Sequence, residues 1–175
     1  MSPVAFDLNP IDRITAGALG PPGKRVFYLQ ARKGDQLVTL VVEKQQVQAL
    51  AIGVEQLLGD LQQRFPLLAD AGGEFNPSGM ELEEPIDPAF RVGQLGVGYD
   101  EENDLLVVVA REVQEEGEDI EAATTARFWG SRAQIRAACR WGLEVAGRGR
   151  PICGNCGEPI DPEGHFCPKR NGHKH

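Results

Sequence analysis

Apolar positions along this chain follow two distinct periods. From 43 to 65, "EKQQVQALAIGVEQLLGDLQQRF" sets Val47, Leu50, Ala51, Val54, Leu57, Leu58, Leu61 and Phe65 three or four residues apart. That is the spacing of one buried helical face. Pro66 ends the pattern, because its ring and missing amide hydrogen cannot continue a helix. "SRAQIRAACRWGLEVAGRG", from 131, predicts a second helix, with Ser131 placed to cap its first turn.

Shorter β-branched and aromatic runs predict strands. "RVFYLQAR" (25–32) and "QLVTLVVE" (36–43) flank the tight turn "KGD", and "DRITAGAL" precedes them as a further strand, set off by "GPPG" at 20–23. In the second half, "FRVGQLGVGYD" (90–100), "DLLVVVAREV" (104–113) and "ATTARFWG" (123–130) read as three more, with "DEEN" as a turn and "QEEGEDIE" as a charged hairpin tip. Residues 66–89 are rich in Gly, Pro and acids and read as a solvated linker.

The two halves share an order of elements. A shift of 88 residues carries Gln46 to Gln134, Val47 to Ile135, Leu50 to Ala138, Ala51 to Cys139, Val54 to Gly142 and Leu58 to Ala146. The expected fold is therefore α+β: duplicated βββα units (about 11–65 and 90–147) forming a mostly antiparallel sheet with two helices on one face. This body would occupy 1–150, followed by a separate tail at 151–175.

Charge sharpens the division. The chain carries −8 overall, yet from Arg148 onward five Lys or Arg face three acids, so that segment is +2 and the remainder −10. Such a body repels nucleic acid, and only the tail could attract it. No apolar run is long enough to span a membrane. The start lacks a basic and apolar leader, so the expected location is the cytoplasm, where thiols stay reduced.

The tail, "ICGNCGEPIDPEGHFCPKRNGHKH", holds three of the four cysteines and all three histidines. Cys153 and Cys156 have knuckle spacing, Gly157 lets amides turn toward the sulfurs, and Cys167 follows a stretch of turn formers. His173 is the expected fourth ligand, since Asn171-Gly172 can bring the chain back toward Cys167. His165 is the alternative. Two positions from Cys167 in an extended segment, its β-carbon would lie about 7 Å away, awkward for one tetrahedral ion. Three thiolates and an imidazole closing around zinc leave no open position, so the expected site is a structural zinc ribbon. So short a segment needs such a staple to fold.

Elsewhere, candidate chemistry is sparse. Cys139 sits on the apolar face of the second helix, as a small buried hydrophobe would. No histidine occurs before 165, so the body has no Cys–His or Ser–His–Asp set. "GALGPPGK" lacks the phosphate-loop order and reads as a turn, with an anion site there as a lesser option. "FDLNPID" crowds Asp7, Asn9 and Asp12 near Arg13; turn chemistry explains it, and a polar site with Arg25 and Arg32 is the functional alternative.

The segments "FDLNPIDRITAGALGPPGKRVFYLQARKG", "VEKQQVQALA", "ARFWGSRAQIRAAC" and "CGNCGEPIDPEGHFCPKRNGH" resemble the bacterial domain-of-unknown-function 3090 family, sometimes labelled a repeat protein. The resemblance covers nearly the whole length. It implies no activity or catalytic residue. It does imply gene neighbours that encode a histidine-phosphatase-like and a phosphoinositide-kinase-like protein, whose products are candidate partners. The expected function is a non-enzymatic interaction or adaptor protein with a structural zinc site. The alternatives are a zinc-dependent or phosphate-handling enzyme with a site between the repeats, and nucleic-acid binding through the basic tail.

Overall fold

The structure, a computed structural model, describes residues 4–21, 23–117 and 123–148. Seven strands form one sheet: β1 (Val4–Leu8), β2 (Arg13–Leu19), β3 (Val26–Lys33), β4 (Gln36–Val42), β5 (Pro88–Asp100), β6 (Leu105–Glu112) and β7 (Thr125–Gly130). Helix α1 (Lys44–Arg64) follows β4, and α2 (Arg132–Ala146) follows β7. The strand order is β1-β7-β6-β5-β4-β3-β2. Pairing is antiparallel within β2-β3-β4 and within β5-β6-β7, and parallel at β4·β5 and β1·β7. The α+β expectation with a mostly antiparallel sheet and two helices therefore holds.

Strand β1 was not expected. Val4–Leu8 is short and sits among polar residues, and its pairing with β7 joins segments more than a hundred residues apart. Beyond it, Ile11 N–H donates to Trp129 O (2.7 Å) and Asp12 N–H donates to Arg32 O (2.8 Å). Consecutive residues thus bond to strands from opposite ends of the sheet order. Residues 9–12, which include a cis Asn9–Pro10 bond, bridge β7 and β3, each one strand in from an end of the sheet order.

Period-two alternation decides which side chains meet. Cross-strand partners Leu29 and Leu40, Ala31 and Val38, Val97 and Val108, and Ala110 and Ala126 all face inward. Over them lie Val47, Ala51 and Val54 of α1 and Ile135, Ala138 and Cys139 of α2, giving one continuous apolar core. The two helices cross where Gly142 sits. A Cβ there would lie 2.8 Å from Val47 Cγ1 and 3.3 Å from Ala16 Cβ, so only glycine permits the approach.

Both helices start with the same device. Glu43 and Ser131 accept from the backbone of Gln46 and Gln134, whose side chains bond back to the cap residues. Those two glutamines also reach across to the other half. Gln46 Nε2 donates to Val92 O (3.0 Å), and Gln134 Nε2 donates to Asp12 O (3.4 Å). Among the described residues no helix is long and apolar enough to cross a membrane.

Candidate functional site

The expected zinc ligands Cys153, Cys156, Cys167 and His173, with the alternative His165, lie outside the described residues. Within those residues, no group of three or more His, Cys, Asp and Glu is placed to hold a metal.

The 66–89 segment is not merely a solvated connection. Part of it forms a strap over the outward face of β2 and β3. The buried Gln30 amide behaves like a missing strand: its Oε1 accepts from Glu83 N–H (2.7 Å) and its Nε2 donates to Glu83 O (2.9 Å) and Thr39 Oγ1 (2.9 Å). Thr15 Oγ1 donates to Met80 O (2.6 Å). Arg32 bonds the Glu83 carboxylate (3.0 Å), while Arg13 donates to Gly79 O (2.9 Å) and to Glu81 O. Earlier in the segment, Arg132 and Arg136 of α2 donate to Ala69 O (2.8 Å) and Gly72 O (3.1 Å). Leu82 lies over Gly17, where any Cβ would come within 2.6 Å of its Cγ. Three arginines and two buried polar side chains therefore hold carbonyls of this segment, and a fourth arginine, Arg32, holds the Glu83 carboxylate.

The polar N-terminal residues do not converge on one site. Asp7 Oδ1 accepts from Trp129 Nε1 (2.7 Å), and Asp12 Oδ2 accepts from Gly34 N–H (2.7 Å) in the β3–β4 turn. Arg32 belongs to the strap, and Arg25 lies at the opposite end of β3. Asp7 ties β1 to β7 through the indole, and only Asp12 braces a turn.

Cys139 is inert. Burial pushes its thiol up to about 12, with a smaller contribution from the Glu55 charge, so it stays protonated at neutral pH. Nearby, hydrogen bonds from Arg136 hold the Glu55 carboxyl below its ordinary value, and the Arg136–Glu55 pair (2.8 Å) ties α2 to α1. Another arginine of α2, Arg132, pairs with Asp104 (2.9 Å), whose carboxyl it also holds down through hydrogen bonding.

One open concavity gathers unlike chemistry. A groove of about 450 Å³ lies between the end of β2, the strap and the end of α2. Arg25 and Arg148 stand in it with Trp141, Met80, Leu82 and Glu81. Arg25 donates to Val145 O (2.7 Å), covering one of the last carbonyls of α2. Its guanidinium also lies 5.2 Å from the Phe27 ring centroid. Arg148 stacks 4.7 Å from the Trp141 centroid, and that indole meets Phe75 edge-on at 5.6 Å. Burial, and then the charge of Arg148, lower the proton affinity of Arg25. The "GALGPPGK" stretch borders this groove through Gly17, Leu19 and Gly20. Arg148 and Trp141 come from the other half of the chain, and no spacing in the sequence joins them to this glycine-rich turn.

No curated protein and no solved structure matches the chain. A family model described as "Protein of unknown function (DUF3090)" matches residues 6–167, nearly the full length, and the chain belongs to that family.

Proposed function

We propose that the protein is a non-enzymatic interaction protein, an adaptor, whose C-terminal segment is closed by a structural zinc ion on Cys153, Cys156, Cys167 and His173. The supporting observation is how the body uses its ionisable groups. Arg13, Arg132 and Arg136 are engaged with carbonyls of the strap, and Asp7 and Asp12 with N–H donors. The Cys139 thiol is held protonated. These groups are spent on shaping a surface. For the tail, the donor set supports the reading: three thiolates and one imidazole fill a tetrahedral sphere.

We infer too that the body is a duplication. The capping boxes at 43–46 and 131–134 stand 88 residues apart, each with glutamine at the third helical position. Each half also has three antiparallel strands followed by its helix. The cytoplasm, where the tail's thiols would remain reduced, is the compartment that suits this zinc site.

The test is affinity capture of the tagged full-length chain from its native cell, with zinc determined on the same reduced sample. The expected result is one zinc per chain, lost in Cys153→Ser, and a stoichiometric protein partner. Products of genes encoding histidine-phosphatase-like and phosphoinositide-kinase-like proteins are the first candidates. Metal-free protein would sink the tail assignment. A co-purified small molecule that the protein turns over, with no protein partner, would sink the adaptor reading.

A further inference from the structure

Two guanidinium groups share one groove, and one of them is partly desolvated by its surroundings. Glu144 pairs with Arg148 only at 3.6 Å on the exposed side of α2, while Arg25 is satisfied by a neutral carbonyl. We propose that this groove binds a small phosphate monoester with an apolar or planar body. Its phosphate lies between Arg25 and Arg148, and its body lies along Leu82, Met80 and Leu19.

Each element of the proposal rests on a separate feature. Arginine carries five donors in a planar fork suited to oxyanions, and Arg25 commits one nitrogen to Val145 O, leaving others for a ligand. The guanidiniums arrive from different elements, one just before β3 and one just after α2, so they can grip an oxyanion from two directions. The groove's volume lies within the range of small-molecule sites, and its lining mixes apolar side chains with a few charged ones. Leu19 is 46% exposed at the rim, an apolar surface that a ligand body would cover. Glu81 lines the same groove and Glu144 stands beside Arg148. These acids, on a body with a surplus of negative charge, disfavour a polyanion and favour a single phosphate. The proposal goes beyond the adaptor reading and does not rest on it. A ligand could be bound here whether or not a protein is captured elsewhere.

The test is calorimetric titration of the full-length protein with phenyl phosphate, inorganic phosphate and benzoate, repeated on Arg148→Gln. Arg148 lies at the exposed end of α2, so this variant should fold. Arg64→Gln serves as a control, because it removes an exposed positive charge at the end of α1, outside the groove and away from the strap. Phenyl phosphate should bind saturably, about tenfold tighter than either fragment, and Arg148→Gln should weaken it about tenfold while Arg64→Gln leaves it unchanged. Absence of saturable binding would overturn the proposal. So would an equal loss in both variants, which would mark general charge attraction. Benzoate binding as tightly as phenyl phosphate would overturn the phosphate assignment.

Discussion

The inward and outward faces of β2, β3 and β4 are held by opposite kinds of force. Inward, Ile14, Leu29, Val38 and Leu40 meet the helices through non-directional burial, where shape and volume decide the fit. Outward, Thr15, Gln30 and Thr39 are as deeply buried as the core, but each works through hydrogen bonds with a single correct geometry. The first face supplies most of the stability. The second fixes one wall of the Arg25–Arg148 groove, because Met80, Glu81 and Leu82 of the strap line it.

This contrast can be broken at graded strength. The largest effect is expected from Phe128→Ala, which empties a fully buried site on the inward face. It should cost about 4 kcal/mol, read as a lower urea midpoint at unchanged slope. Strap and core amides should then lose exchange protection together. Gln30→Leu on the outward face should cost about 2 kcal/mol, because the Glu83 N–H and C=O lose their partners. Its signature is local: Glu83 amide exchange should accelerate while the amides of β6 keep theirs. Equal acceleration in both places would show that the two faces are one cooperative unit.

Gly142→Ala probes the inward face by overpacking, since the new methyl would press on Val47 and Ala16. A loss of about 1.5 kcal/mol is expected, partly restored by Val47→Ala. The smallest effect belongs to Arg136→Gln, at about 0.5 kcal/mol, because the Glu55 carboxylate is nearly half exposed. The pH dependence has a definite sign. Glu55 has a depressed folded-state value, so its contribution is present above the ordinary glutamate range and is lost as pH falls through the lower, folded value. Arg136→Gln should therefore flatten the acid limb of a stability profile and leave its neutral-to-basic limb unchanged in shape.

How legible each part was follows from the same contrast. Helix α1 was readable because eight apolar side chains repeat at helical spacing, and the β3–β4 hairpin because two β-branched runs flank Gly34. Ser131 was readable as a cap, but the capping role of Glu43 was hidden, since the same residue ends a strand-like run. Strand β1 was missed because its neighbour is β7, and nothing in "VAFDL" announces a partner at 125–128. The groove is not legible in the sequence: Arg25 is expected there beside Asp7, Asp12 and Arg32, whereas its meeting with Trp141 and Arg148 depends on where α2 ends.

The amino-acid sequence alone determined that α1 and α2 each bury an apolar face, that Pro66 ends the first helix and that Ser131 caps the second. Those properties reside in neighbouring residues, so a local period or spacing records them. Only the tertiary structure decided that residues 9–12 bridge β7 and β3 near opposite ends of the sheet order, that a polar-looking connection is strapped down by Gln30 across 53 residues, and that two arginines share one groove. A hydrogen bond between distant residues leaves no periodic trace in the chain, because either partner alone looks like any other polar side chain.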